Sequence, residues 1–518
     1  MMPGAYAGET GQSAQPRAGG TLRVVLNSEP SSVFAPIEPG GSPMIVGSKI
    51  FETLLRIRTD GGFDGVLAES WAGSADGKEY TFHLRDRVRF HDDRPLTSED
   101  VAFSMLRLWM KENTFGRVIF SNVIAAETPD PRTVIFRLDQ PAPPFPFLGM
   151  LAAFGSVAPK HIYEGGEIRR NPRTNSNPVG SGPFRFKEWS KGNYILLERN
   201  PVYWAPGRPL VEQIVFKVVP DAAARAAAFE AEEADVGTYS PVGVADIKRF
   251  AKLPYIELDA AGTLGTSGTF AMEVNLRRKE LADVRVRQAL SLAINRRFIC
   301  DTILEKTAHP ARGPLRSSSA LFDAGLPELR FDVAAANQLL DEAGYPRAQG
   351  GVRFALNIDP NPFSPALATV AEYLKQAFGQ IGVGTNIRRS DGVTYNQRIY
   401  NDYNFDLTVQ VLSTLVDPQI SNLNYFWSKG ISKGRFQTNA TDYRNEEMDL
   451  VIEDARTAID PERRRAAMRE FQKLAVRDLP LIPLVEYESY NIFSKRVRDH
   501  SNGPMWPLQS WADVWLSA

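Results

Sequence analysis

The second half of the sequence alternates helical and extended patterns, and this limits the fold more than any other feature. After Gly268, Asp283 precedes a helix whose apolar residues recur at i, i+3, i+4 and i+7, and Pro365 opens another helix. Between the helices lie the apolar runs 354–358 and 405–412, which are typical of buried strands. The alternation predicts an α/β lobe with a mostly buried sheet.

The first half of the sequence is richer in strand patterns. TLRVVL (21–26) predicts a buried strand, and EYTFHL (79–84) alternates polar and apolar residues as a half-buried strand does. Thr97 and Asp100 have the spacing of a capping box, which predicts a helix start. The proline-rich segment 141–147 predicts a loop. Strands, turns and a helix therefore alternate early in the chain.

The chain has 518 residues and no low-complexity linker or internal repeat that would divide it. At roughly 150 residues per domain, this length corresponds to about three or four domain-sized units. Large units without linkers between them are expected to share more than one chain crossing. We therefore expect lobes that are joined by several strands.

Composition excludes several classes of protein. The 60 basic and 61 acidic residues nearly cancel, so no overall field attracts nucleic acid or an anionic membrane. The single cysteine, Cys300, excludes an intramolecular disulfide and a cysteine-based metal site. No apolar run is long enough to span a bilayer.

Residues 1–20 lack the basic start and the apolar core of a secretory signal. We therefore expect a flexible lead-in of the kind that remains after a secretory signal has been cleaved.

Catalytic and cofactor motifs are missing from the sequence. It contains no phosphate-binding loop, no dinucleotide fingerprint, no His-Glu-x-x-His and no nucleophile elbow. The histidines have no metal-ligand spacing: His83, His91, His161, His309 and His500. We therefore predict no cofactor, no metal site and no enzymatic activity. A pair of carboxylates brought together only by the fold, as in a two-lobed hydrolase, remains open.

Five blocks carry a resemblance to a known family. They are LAESWAGSADGKEYTFHLRDRVRFHDDRPLTSEDVAFSMLR (67–107), 179–204, 214–237, 281–296 and 471–484. In this order they resemble the extracytoplasmic solute-binding proteins of ABC importers, in the peptide, nickel and opine class. Members of that family typically have a glycine where Asp93 stands.

The resemblance implies a two-lobed α/β clamp of the type II periplasmic-binding-protein kind, with an extra subdomain in the first lobe and a ligand cleft between the lobes. It implies the following bounds: lobe I, 21–268 plus 487–518, with the subdomain at about 61–178; lobe II, 269–486; hinge strands, 269–275 and 483–490. A monomer of this kind would capture a polar solute in the periplasm and deliver it to ABC permease subunits in the inner membrane.

The charged anchors of dipeptide-binding relatives are missing. Ser413, Thr414 and Leu415 stand where those relatives have an aspartate for the ligand amine, and Asn361 stands where they have an arginine for its carboxylate. Both substitutions disfavour a dipeptide. The ligand classes that remain are an oligopeptide or peptide-like compound, then an opine or sugar-derived compound, then a metal chelate.

Ten residues are candidates for ligand contact: Asn361, Phe363, Arg389, Ser413, Thr414, Asp417, Asn424, Tyr425, Trp427 and Trp506. Some of them have a structural alternative. Asp417 could cap the turn before Pro418, Arg389 could be a solvated strand end, and the aromatic residues could belong to the core. A chaperone-like binder of unfolded chains is a further alternative to a receptor for one solute.

Overall fold

The computed structural model describes residues 16–38, 40–174, 176–263, 267–362, 364–413 and 415–517. The strands are β1 Thr21–Leu26, β2 Leu55–Ile57, β3 Phe63–Gly65, β4 Ala68–Gly73, β5 Glu79–Leu84, β6 Val123–Asp130, β7 Thr133–Leu138, β8 Phe184–Ser190, β9 Tyr194–Arg199, β10 Gln213–Val218, β11 Val236–Gly237, β12 Ile256–Asp259, β13 Gly268–Val274, β14 Ala308–Pro310, β15 Phe354–Pro360, β16 Val383–Ile387, β17 Leu407–Ser413, β18 Leu481–Tyr487, β19 Asn491–Ser494, β20 Val497–Arg498 and β21 Trp515–Leu516.

Helices cover the sheets and connect their strands. They are α1 Gly41–Gly47, α2 Ser98–Phe103, α3 Gly116–Ile119, α4 Pro144–Phe154, α5 Lys160–Tyr163, α6 Ala222–Glu230, α7 Val244–Phe250, α8 Lys279–Ala282, α9 Val284–Leu292, α10 Arg296–Phe298, α11 Val333–Glu342, α12 Pro365–Gln380, α13 Gly392–Asn396, α14 Glu446–Thr457 and α15 Pro461–Asp478. A π-helical turn directly continues α2, α10 and α13.

One body, which we call lobe I, is built on two sheets. In the described part of the chain, the larger sheet has the strand order β12-β19-β11-β1-β10-β9-β8, and β1 runs parallel to β10 and β11. A smaller antiparallel sheet has the order β4-β5-β7-β6. The inward residues of both sheets, such as Val24 and Phe136, share one hydrophobic core with α4. The two sheets therefore pack as a single unit.

The other body, lobe II, is built on a mixed sheet with the order β14-β18-β13-β17-β15-β16. Met272 and Val409 face a core with α9 and α12, whereas Ala271 and Leu412 face a second core with α14 and α15. Side chains alternate across the sheet, so each strand supplies both cores. The sheet is covered on both faces, which confirms the predicted α/β architecture of the second half.

Two chain segments cross between the lobes. One connects Asp259 at the end of β12 with Gly268, and the other connects Tyr487 with β19. The buried Ser489 amide donates a hydrogen bond of 3.0 Å to Ser267 Oγ, which ties the two segments together. A pair of short, hydrogen-bonded crossings is a geometry that permits hinge motion.

The structure agrees with some local predictions and corrects another. Thr97 and Asp100 form the predicted capping box, with Thr97 N donating to Asp100 Oδ2 at 2.9 Å. The predicted loop 141–147 is wrong in its second part, because α4 begins at Pro144. Proline is favoured in the first helical turn, where its missing N–H has no helical partner to lose, and Phe147 is fully buried.

The predicted lead-in, residues 1–20, is described only from residue 16 onward. Within it, Gly19 N donates a hydrogen bond of 2.8 Å to Leu210 O, next to the start of β1. The last residues of this segment are therefore attached to the larger sheet of lobe I.

Candidate functional site

A cavity of about 430 Å³ lies between the two lobes. Lobe I contributes Pro143 and the start of α4, and lobe II contributes three loops and the start of α15. The lining residues are Pro143, Pro144, Phe145, Arg316, Ser318, Ser319, Ala320, Leu321, Leu415, Val416, Asp417, Pro418, Ala458, Ile459, Pro461, Arg464 and Arg465. The walls are mostly apolar and carry a few charged groups, which is the composition of many small-molecule sites. We call this space the interlobe cavity.

The loop after β17 spans the interface between the lobes. Val416 contacts α4, where a methyl group added at Gly149 would lie 3.1 Å from Val416 Cγ2. Ile420 is fully buried and belongs to the hydrophobic core of lobe I, although the strand before it belongs to lobe II. Lobe II therefore rests directly on lobe I along this edge of the cavity.

Asp417, a predicted ligand contact, is occupied by an internal partner. Its carboxylate accepts two hydrogen bonds from Arg464, Nη1 to Oδ2 at 2.9 Å and Nη2 to Oδ1 at 2.7 Å. Gln419 N also donates to Asp417 Oδ1 at 2.8 Å, so the carboxylate caps the turn as the structural alternative stated. Because its charge is matched within lobe II, Asp417 shapes the cavity wall instead of presenting a free anion.

Arg316 is the buried charged residue at the other end of the cavity. Its Nη2 lies 3.4 Å from Glu488, whose side chain is half exposed, and its buried Nε has no acceptor. The next residue is fixed to the crossing strand β18, because Ser317 N donates to Glu486 Oε2 at 2.9 Å. A guanidinium with a spare donor is suited to an acceptor group on a ligand.

A buried polar cluster lies on the α14 and α15 face of the lobe II sheet. Neither oxygen of the fully buried Glu273 carboxyl has a partner in good hydrogen-bonding geometry; burial raises its pKa to about 8, and the nearby Tyr400 hydroxyl lowers the pKa only in part. Tyr400 OH donates to Gln410 Oε1 at 3.1 Å, while Gln410 Nε2 and Tyr425 OH have no partner. Predicted contact Tyr425 thus belongs to an interior cluster with unused hydrogen-bonding capacity.

Several other predicted contacts also lie near the interlobe face. Asn361 is buried directly after β15, where its backbone N–H donates to Val409 O at 2.9 Å. Ser413 ends β17, and its carbonyl accepts a hydrogen bond from Ser421 Oγ at 2.6 Å. Asn424 is buried in the 3₁₀ turn that follows the loop. Whether any of them touches a ligand stays a prediction, and predicted contacts Phe363 and Thr414 lie outside the described residues.

Two predicted contacts lie away from the interlobe cavity. Arg389 is exposed and forms an ion pair of 2.8 Å with Glu372, the solvated alternative. Trp506 is 1% exposed in the core of lobe I, stacked on Trp511 with ring centroids 4.5 Å apart, so it does not wall this cavity. An indole ring can be buried in a core or line a cleft, and the position of Trp506 in the sequence does not distinguish the two.

Three residues at the interface were missed by the sequence interpretation. Phe145 was assigned to a loop, Arg316 lies in a segment without a clear pattern, and Arg456 looks like an ordinary helix-surface cation. Trp427, which was predicted, stacks against the Arg456 guanidinium at 4.5 Å. No sequence signal identified Arg456, because helical periodicity does not show that the end of α14 packs against the other lobe.

The family model described as bacterial extracellular solute-binding proteins, family 5 middle, matches residues 63–434. Di/tripeptide-binding protein 1 of Pseudomonas aeruginosa is 25% identical over 470 residues, covering 86% of this chain and 85% of its own. These matches span both lobes and include the loop after β17.

Solved structures share the fold over nearly the whole chain. The oligopeptide-binding protein AppA of Bacillus subtilis, in complex with a nonapeptide, superposes with a TM-score of 0.84 at 23% identity, covering 97% of this chain and all of AppA. AgaA of A. tumefaciens R10, in complex with agropinic acid, gives 0.82 at 24% identity, covering 96% and 99%. Among the residues that the structure describes, no helix has the length and apolar character needed to cross a bilayer.

Proposed function

Because the chain belongs to the bacterial extracellular solute-binding proteins of family 5, we propose that it captures a peptide-like solute with a carboxylate in the interlobe cavity. The permease of an ABC importer then binds the closed, solute-loaded form. The observation that carries the proposal is the position of the cavity, which is lined from both lobes. A ligand that contacts both lobes favours the closed form by its differential affinity.

The cavity lining supports a solute with both apolar and anionic parts. Phe145, Leu321 and Val416 offer apolar surface that an aliphatic or aromatic side chain would cover. Arg316 offers a buried donor without an acceptor, which suits a carboxylate or a peptide carbonyl. The Asp417 charge is already matched by Arg464, so the lining presents no free anion for a ligand amine at this position.

An opine-like compound is the second candidate, and the cationic lining favours it. Opines combine amino-acid carboxylates with a second polar part, and the relative AgaA is described in complex with agropinic acid. AppA is described in complex with a nonapeptide. We rank the oligopeptide class first because apolar surface dominates the interlobe cavity, and a metal chelate third.

We propose that the protein acts in the periplasm as a monomer and leaves its solute chemically unchanged. The named relatives are binding proteins, which supports this view. We further propose that residues 21–268 with 487–518, and residues 269–486, move as two bodies. The hydrogen-bonded crossing segments at Ser267 and Ser489 support a hinge at this place.

The test is a thermal-shift screen over free peptides of two to nine residues and over opines, followed by native mass spectrometry. A bound solute raises the melting temperature by mass action and adds its own unaltered mass. Arg316→Gln should reduce the shift, whereas Arg389→Gln, a change at an exposed pair, should not. The proposal is wrong if no peptide or opine shifts the melting temperature, or if the bound mass is that of a cleaved product.

A further inference from the structure

A second cavity, of about 320 Å³, lies further along the seam between the lobes. Both lobes line it, and Ala142, Gln419 and Thr457 are chain neighbours of the interlobe-cavity residues Pro143, Pro418 and Ala458. They are Ile119, Ser121, Asn122, Gln140, Pro141 and Ala142 from lobe I, and Gln419, Trp427, Lys429, Glu453, Arg456 and Thr457 from lobe II. We call it the seam cavity. Its walls are more polar than those of the interlobe cavity and carry buried donors.

Arg456 is a half-buried cation that forms no ion pair within 4 Å among the described residues. Its Nη2 donates to Val118 O at 3.2 Å and lies 3.5 Å from Ser121 Oγ, both in lobe I. Its Nη1 is buried and has no acceptor, and no ion pair of the described residues includes Arg456. Burial lowers the pKa of the guanidinium to about 10, so it remains charged at neutral pH. The nearby Glu453 carboxylate partly offsets this effect by raising the pKa, but it accepts no hydrogen bond from Nη1, and a buried donor without an acceptor is costly.

Trp427 and Gln419 add further unused groups at the same place. The buried Nε1 of Trp427 has no acceptor, and its ring stacks on Arg456 at 4.5 Å. The buried Oε1 of Gln419 has no donor. By contrast, Lys429 lies at the outer rim, 65% exposed, and is already paired with Glu453 at 2.5 Å. The unused hydrogen-bonding groups therefore belong to Arg456, Trp427 and Gln419, and not to the exposed Lys429 at the rim.

From this arrangement we infer that the seam cavity is a subsite for a carboxylate of the captured solute, held by Arg456 Nη1 and Trp427 Nε1. This inference rests on the proposed function, since it assigns the anionic end of the same solute. Charge-assisted hydrogen bonds from a guanidinium are among the strongest available to a carboxylate. Ser121 and Asn122 are lining residues from lobe I, so a carboxylate held here by Arg456 of lobe II would connect the lobes and stabilise the closed form.

The experiment uses the full chain labelled with ¹⁵N-tryptophan, so that indole N–H signals are resolved by NMR. Trp427→Phe identifies the signal of Trp427. The probes are Ala-Ala-Ala and Ala-Ala-Ala-amide, which differ only in the carboxylate, together with acetate in a low-chloride buffer. Each is titrated into the unaltered protein and into Arg456→Gln, Arg456→Lys and the control Arg389→Gln. Melting temperatures of the free variants establish that each is folded.

We expect the free-acid tripeptide to move the Trp427 signal and to bind at least tenfold more tightly than the amide. Arg456→Gln should abolish this preference, Arg456→Lys should retain part of it, and Arg389→Gln, at an exposed pair away from both cavities, should change affinity less than twofold. If both tripeptides bind and do so with equal affinity, or if the preference for the acid persists in Arg456→Gln, the inference is overturned.

The acetate titration separates this inference from the proposed function. If neither tripeptide binds but acetate moves the Trp427 signal in the unaltered protein and not in Arg456→Gln, the anion subsite stands and the peptide assignment fails. If acetate at tens of millimolar leaves the signal unmoved in both proteins, the subsite is wrong, whatever the peptides do.

Discussion

The guanidinium of Arg464 and the carboxylate of Asp417 form a two-point pair, 2.9 and 2.7 Å long, at the wall of the interlobe cavity. Their side chains are 9% and 1% exposed. The pair fixes the loop after β17 to α15, and that loop is the part of lobe II that rests on lobe I. Charge matching inside lobe II therefore holds the surface that meets the other lobe.

Breaking this pair should be strongly destabilising. Arg464→Met leaves a buried, unpaired carboxylate, and we expect a loss of about 3 to 5 kcal/mol in the free energy of unfolding. Urea titration followed by circular dichroism measures the loss. The control is Arg389→Met, which breaks an exposed pair with Glu372 and should cost less than about 1 kcal/mol. Equal losses in the two variants would contradict the role given to Asp417.

Glu273 should make stability depend on pH. The unfolded chain ionises this residue near pH 4.5, whereas the folded chain retains the proton to about pH 8. The folded state thus binds more protons between these values, and its stability falls as pH rises through them, by up to about 1.4 kcal/mol per pH unit. Glu273→Gln cannot ionise, so it should match the unaltered protein at pH 5 and exceed it at pH 9.

Urea unfolding of both proteins at pH 5, 7 and 9 tests this expectation. Glu372→Gln, at an exposed carboxylate, serves as the control and should leave the pH profile unchanged. Parallel profiles for the unaltered protein and Glu273→Gln would show that the buried carboxyl finds partners the structure does not contain.

Asp93 should be replaceable by glycine with a gain in stability. Its φ of 65° lies in the left-handed region, which side chains disfavour, and members of the resembled family typically have glycine here. Asp93→Gly should stabilise by about 1 kcal/mol, raising the melting temperature. Asp86→Gly, at a neighbouring residue with negative φ, should give no gain. A lower melting temperature for Asp93→Gly would refute the strain argument.

Lys49 should be essential to the attachment of the C-terminal segment. Its fully buried Nζ donates to Pro507 O at 2.8 Å and to Gln509 O at 2.7 Å, and lies 3.8 Å from the Trp511 ring centre. Lys49→Met leaves two carbonyls without this donor and should cost about 2 to 3 kcal/mol. Lys191→Met, which removes an exposed lysine from the face of Trp189, should be nearly neutral in the same urea titration.

The helix starts illustrate what local sequence can predict. The Thr97 and Asp100 capping box, the Asp283 cap and the alternation of helix and strand after Gly268 all depend on neighbours a few residues away, and the structure contains each of them. The start of α4 at Pro144 was missed because proline is common in loops and at first helical turns alike. A local pattern therefore predicted the structure correctly where it is compatible with only one local conformation.

The sequence by itself determined the α/β class, the neutral charge balance and the family, because periodicity, composition and ordered motifs are properties of the chain. Only the tertiary structure decided which polar groups are satisfied. The Asp417 carboxylate is paired with Arg464, 47 residues away. The Nη1 group of Arg456, in contrast, has no hydrogen-bond acceptor at the seam. Partners so distant in sequence leave no local pattern, and whether a charge is buried depends on packing from both lobes.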